Sequence, residues 1–191
     1  MVGHKKPRTV LYRRKQWHRT DYGKRLKLLL SPSPRLAVRF TNQRVLAQVL
    51  SFKPQGDVVL VSADSSSLQK LGWTYSGKNI PAAYLSGFLI GTKALEKKQK
   101  KVILDTGFKS FLHKGKLGAF LKGVVDAGLD SPFGKDDIFP SADRIQGKHI
   151  EQFASKLGDK TGGQFTQYLK NKSLPQQMST QFEQVKKKIK G

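Results

Sequence analysis

Cysteine is absent from this 191-residue chain. That excludes disulfides and thiolate metal sites and fits a reducing compartment. Acids are scarce: thirteen Asp and Glu stand against 36 Lys and Arg, a formal net charge of +23. No apolar run approaches membrane-spanning length, and the basic start lacks the apolar centre of a secretory signal. No basic segment pairs with a strong amphipathic anchor, so a membrane is not the expected partner. The sequence shows no internal repeat. A hydrophobic content of 37% suits one domain with a real core and some appendages.

What the chain does have is positive charge, sorted by residue type. Residues 1–56 hold six Lys and eight Arg against Asp21 alone, a net +13. The other 135 residues supply +10, and only one of the nine arginines, Arg144, lies beyond Arg44. Guanidinium groups bind phosphate bidentately and stack on bases, which ammonium groups do poorly. A charge serving only solubility has no reason to separate Arg from Lys, so the expected partner is nucleic acid.

Residues 1–19 read as a basic arm without stable periodicity. Lys5, Lys6 and Arg8 are followed by Arg13, Arg14, Lys15 and Arg19, interleaved with Tyr12 and Trp17. Cations neutralise phosphates while aromatic faces stack on unpaired bases. A plain import tail seldom carries an exposed Trp, which favours RNA contact. Thr20 is a candidate N-cap for a short helix through Leu26 to Leu30, which must stop before Pro32.

Arg35 to Phe52 organises the rest. Leu36, Val38 and Phe40 alternate with Arg35, Ala37 and Arg39, and Val45, Ala47 and Val49 resume the pattern after Thr41-Asn42-Gln43-Arg44. Alternation on both sides of a polar turn predicts a hairpin with Phe40 facing Val45, Val38 facing Ala47 and Leu36 facing Val49. The opposite face carries Arg35, Arg39 and Gln48, with Arg44 at the turn, a surface suited to an anion. On that reading Leu46 and Leu50 give each arginine an apolar wall to lie along, with its guanidinium free to project.

Asp57 to Ser62 is apolar on both faces and reads as a central strand. A long helix runs from Asn79 towards Lys98 with Pro81 in its first turn, and its small residues Ala82, Ala83, Ser86, Gly87 and Gly91 suit a close approach to the sheet. Val102 to Asp105 reads as a fourth strand, parallel because a helix precedes it. Residues 107–116 form a basic loop in which His113, Lys114 and Lys116 are candidates for phosphate or ribose contact. Leu117, Phe120, Leu121, Val124 and Val125 mark a helix stopped by Gly128. Residues 129–146 read as irregular. Ile150, Phe153, Ala154 and Leu157 mark another helix, and Met178, Phe182, Val185 and Ile189 a last one ending in lysines. The predicted fold is α/β: three antiparallel strands, then a βα crossover giving a mixed sheet packed by helices. The expected units are 1–30 (arm and short helix), 31–130 (core) and 131–191 (loop and helical extension).

Catalytic readings fare poorly. Asp105-Thr106-Gly107 matches an aspartic-protease loop, but that chemistry needs two such loops in a β framework. Asp57, Asp64 and Asp105 suggest a ribonuclease-H-like metal nuclease, but in this meander Asp57 opens its strand while Asp64 and Asp105 end theirs, so all three cannot cluster. His4, His18, His113 and His149 share no metal-ligand spacing. No cofactor is expected.

Several words of the sequence form a family pattern. They are Thr20-Asp21-Tyr22, Arg25-Leu26, Leu29-Leu30, Pro34 to Arg39, Gly72-Trp73, Asn79 to Leu85 with Gly87, Asp126 to Asp130, Phe139-Pro140 and Asp143 to Ile145, then Gly147 and His149-Ile150. In this order and spacing they resemble ribosomal protein L-eighteen, the family related to eukaryotic L-five, in its archaeal and eukaryotic branch. The resemblance implies a non-enzymatic, cytoplasmic constituent of the large ribosomal subunit. Its expected partners are 5S rRNA, large-subunit rRNA and neighbouring ribosomal proteins. By position it implies RNA contacts at Arg13, Arg14, Thr20, Tyr22, Arg25, Arg35 and Arg39.

Overall fold

The computed structural model describes residues 10–132, 136–158, 161–171 and 173–191. Lys5, Lys6 and Arg8 therefore lie outside the described residues. The helices in chain order are α1 (Arg13–Gln16), α2 (Tyr22–Leu29), α3 (Ser67–Lys70), α4 (Ile80–Glu96), α5 (Lys116–Asp126), α6 (Ala142–Gln146), α7 (Lys148–Leu157), α8 (Thr161–Gln164), α9 (Thr166–Lys170) and α10 (Met178–Lys190).

The hairpin forms in the register that its alternation predicts. β1 (Arg35–Phe40) and β2 (Val45–Ser51) are antiparallel, with Phe40 opposite Val45, Val38 opposite Ala47 and Leu36 opposite Val49. Thr41 and Arg44 close the turn. The Thr41 amide donates to the Arg44 carbonyl (2.9 Å), and the Thr41 hydroxyl oxygen accepts from the Arg44 amide (3.0 Å). Asn42 and Gln43 are left at the tip.

β3 (Val58–Asp64) pairs antiparallel with β2, and β4 (Ile103–Asp105) pairs parallel with β1. Among the described residues the sheet is mixed and runs β3-β2-β1-β4. β3 is thus an edge strand, not the central one its apolar pattern suggests. The connection through α4 carries β4 past two strands to the far side of β1, so β1 and β2 become the inner pair. Val58 and Val59 stay exposed, beside a register shift between Val49 and Leu50.

α4 lies on the apolar face of the sheet. Asn79 caps it, its side-chain oxygen accepting from the Ala82 amide at 2.8 Å, and Pro81 sits in the first turn. The glycines of α4 serve a helix rather than the sheet, against expectation. A Cβ on Gly87 would run into the Phe120 carbonyl of α5, one on Gly91 into Ala127, and one on Gly123 of α5 into the Tyr84 carbonyl. The two helices meet backbone to backbone through these glycines. α10 closes the other flank of α4: Met178, Phe182 and Val185 are buried, and the Phe182 ring lies 5.4 Å from that of Tyr84. They join Leu36, Val38, Val45 and Ala47 in a single core cluster. Gly147, at φ +91°, lets α6 and α7 meet at a corner packed on Met178 and Pro81. The segment 129–146, read as irregular, contains α6 and a 3-10 turn, Asp136–Ile138.

Candidate nucleic-acid interface

Val10 is the first described residue of the arm. Tyr12 and Trp17 are largely exposed, and α1 buries none of its residues. Arg13 lies over the Trp17 ring at 5.5 Å from its centroid, and Tyr12 is 5.7 Å from Tyr22. The Arg14 Nε donates to the Thr20 hydroxyl at 2.9 Å. Thr20 is therefore tied to the arm and does not cap the helix. Asp21 is the cap of α2, its carboxylate accepting from the Lys24 amide at 3.0 Å. Among the described residues Arg13, Arg14, Lys15 and Arg19 meet no carboxylate. They are exposed cations carried on a short, aromatic-braced segment.

α2 covers one end of the sheet's outer face. Lys24 reaches the Thr106 hydroxyl (2.8 Å) and the Gly107 carbonyl (3.1 Å), and Arg25 pairs with Asp57 at 3.0 Å. Under this cover lies Arg35, only 3% exposed. Its guanidinium bridges Asp57 (2.7 Å) and Asp105 (2.8 Å), while its Nε has no partner. The expectation that Arg35 projects freely is thus corrected. A buried guanidinium must be paired, and the two carboxylates that flank it compensate its desolvation. Arg25 shares Asp57 and is likewise committed. Asp105 also accepts from the Gly107 amide at 2.9 Å, so Asp105-Thr106-Gly107 is a capped turn at a strand end.

The other half of the outer face is open. Arg39 has a half-exposed side chain, anchored by hydrogen bonds to the Val38 (2.8 Å) and Asp105 (2.9 Å) carbonyls and by a longer pairing with the Asp105 carboxylate (3.6 Å), and it packs against Gly107. Gln48 is exposed beside it, and Arg44 at the turn pairs with Asp64 at 3.0 Å. Arg39 and Gln48 thus face solvent where Arg35 does not, although the alternation puts all three on one face.

In the basic loop, His113 stands edge-on to Phe111 (5.9 Å) and Lys114 pairs with Asp137 (2.9 Å), which pulls that carboxyl below its ordinary range. Lys116 is already in the first turn of α5 rather than in the loop. Burial, then Lys78 and Lys109, push the Lys116 ammonium below the ordinary lysine value. Sequence reading passed over Lys24, Lys78 and Lys109. The only available signal was their charge, which 27 lysines dilute.

A family model described as ribosomal large subunit proteins 60S L5 and 50S L18 matches residues 7–101. Three archaeal relatives, each named large ribosomal subunit protein uL18, align over nearly the whole chain. The one from Korarchaeum cryptofilum is 43% identical and covers 94% of this chain and 93% of its own. The one from Caldivirga maquilingensis is 43% identical, covering 94% and 89%. The one from Methanothermobacter thermautotrophicus is 38% identical, covering 94% of each. The chain belongs to the uL18 family of large-ribosomal-subunit proteins. The family is non-enzymatic, which suits a surface of exposed cations and carboxylates spent on ion pairs. Among the described residues no helix is long and apolar enough to cross a membrane.

Proposed function

We propose that this chain binds 5S rRNA and fastens it to the large-subunit rRNA in the central protuberance of the large ribosomal subunit, beside neighbouring ribosomal proteins. The observation that carries the reading is a separation of cations by availability. Arg25 and Arg35 are spent on Asp57 and Asp105 inside the fold, whereas Arg13, Arg14, Lys15 and Arg19 stand exposed around Tyr12 and Trp17. Arg39, with the polar Gln48 exposed beside it, extends that surface onto the sheet. Phosphate contact from the arm and stacking on its rings is the chemistry these groups offer. The nuclease alternative loses its metal position, because the Arg35 guanidinium lies between the two carboxylates that come together, and Asp64 is held apart by Arg44.

The test is a titration of the full chain against labelled 5S rRNA and against a folded non-ribosomal RNA of the same length, at several salt concentrations. A preference of at least tenfold for 5S rRNA is expected. Equal affinity would reduce the chain to a general RNA-binding protein, and Mg²⁺-dependent cleavage of either RNA would restore the nuclease.

A further inference from the structure

The tip of the hairpin stands between two clefts of different chemistry, and Asn42 lines both. The first, about 480 Å³, is walled by Lys109, Lys116 and Arg144, which come from the basic loop, the start of α5 and α6. The Lys109 ammonium rests on the Phe40 carbonyl (3.1 Å) and over the Phe40 ring. No carboxylate lines this cleft. The neighbouring acids Asp137 and Asp143 are held by Lys114 and Lys148 instead. Arg144 is the one arginine outside the N-terminal part of the chain, and among the described residues it has no ion pair. Like charges gathered from three segments repel one another at some cost, and the arrangement is favourable once an anion joins them. Burial, and then the charges of Lys78 and Lys109, hold the Lys116 ammonium below its ordinary value.

The second cleft, about 520 Å³, is lined by Gln43, Gln69, Gln167 and Asn171, with Lys78, whose charge acts on Lys116, in its wall. Among the described residues these four side-chain amides make no hydrogen bond. Free amides present donor and acceptor side by side, which is the pattern that reads a base edge.

Resting on the reading that the ligand is RNA, we infer that a single-stranded RNA segment crosses the hairpin tip, its phosphates held by Lys109, Lys116 and Arg144 and an unpaired base seated among the amides. Duplex RNA does not fit this division, because its base edges are paired and its phosphates lie on the outside of a wide cylinder.

The test uses the full chain with a fluorescent decauridylate, an abasic decamer of the same backbone and a 4-thiouridine decamer. Replacing Lys109, Lys116 and Arg144 by Gln should weaken decauridylate binding at least tenfold and flatten its salt slope by about two units. A charge-matched control, Lys97, Lys100 and Lys187 to Gln, should change it less than threefold. Gln43→Ala with Asn171→Ala should abolish the preference for decauridylate over the abasic decamer and leave the salt slope alone. Irradiated 4-thiouridine should crosslink to the peptides containing Gln43 and Asn171. An equal loss in the control variant, an abasic decamer bound as tightly by the parent, or competition by polyglutamate as effective as by decauridylate would overturn the inference. Crosslinks confined to residues 10–19 would do so too. Unchanged thermal melting in each variant checks folding. A chain that binds single strands here yet shows no preference for 5S rRNA would overturn the proposed function and leave this inference standing. One that prefers 5S rRNA but crosslinks only through the arm would do the reverse.

Discussion

Two arginines four residues apart on one strand have opposite fates. Arg35 is buried between two carboxylates, and Arg39 is half exposed above two carbonyls. Removing one partner from a buried pair leaves the others uncompensated. Arg35→Met should therefore cost about 3–5 kcal/mol of stability, read as a lower urea midpoint. Arg39→Gln loses two part-buried hydrogen bonds and a 3.6 Å pairing with Asp105, which keeps its shorter contact to Arg35, so the fold should survive it with a loss of about 1–2 kcal/mol. If Arg39 meets RNA, the same change weakens 5S rRNA binding by about 1–3 kcal/mol, and Arg39→Lys weakens it less because the charge remains while the fork is lost. Unfolding of both Arg39 variants would make Arg39 a second structural arginine and remove the sheet from the interface.

Among elements, the contact of α4 with α5 is the least forgiving. Gly87 and Gly123 each lie against a carbonyl of the facing helix, leaving no room for a methyl group. Gly87→Ala gains helix propensity but forces the helices apart, so a net loss of about 1–3 kcal/mol is expected. The denaturant midpoint should fall with an unchanged slope, which separates overpacking from a loosened native state. A stabilised Gly87→Ala would show that the helices separate freely. The cap of α4 is a milder case: Asn79→Ala should cost about 1 kcal/mol.

For the whole molecule, charge and burial give two further expectations. Deleting residues 1–19 removes Lys5, Lys6, Arg8, Arg13, Arg14, Lys15 and Arg19. If half of them neutralise phosphates, the slope of log K against log salt for 5S rRNA flattens by about two to four units. An unchanged slope would place the arm away from the RNA. Buried phenols contribute to stability at alkaline pH. Burial, with Glu151 and Tyr168 adding to it, pushes Tyr75 up to about 12, and burial with Asp126 raises Tyr84 further. A pKa raised in the folded state favours the neutral phenol there. Its contribution is complete below pH 10 and lost as pH rises through 10 to 12 and beyond. Tyr84→Phe gives up the 2.7 Å bond to Asp126, costing about 1 kcal/mol at pH 7. The gap between parent and variant should close above pH 10, and a gap independent of pH would place the phenol in solvent.

Local pattern determined a good deal by itself. The hairpin register, the Asn79 cap, the parallel fourth strand and the stripes of α5 and α10 all follow from side-chain periodicity and capping chemistry, which act within a few residues, whereas α7 forms but buries only Ala154 of its stripe and leaves Phe153 exposed. The cationic character of the arm follows from composition, because electrostatic attraction to a polyanion needs no particular fold. Three things were decided only in three dimensions. The first is the rank of β3: an edge and a centre differ in their neighbours, and those came from a crossover 40 residues on. The second is the target of the α4 glycines, since close approach has no direction in sequence. The third is the division of the arginines. Alternation puts Arg35 and Arg39 on one face, but only the folded sheet, with α2 laid over half of it, brings Asp57 and Asp105 to Arg35 from 22 and 70 residues away. Pairing partners for a buried charge are chosen by tertiary proximity, and no local rule contains it.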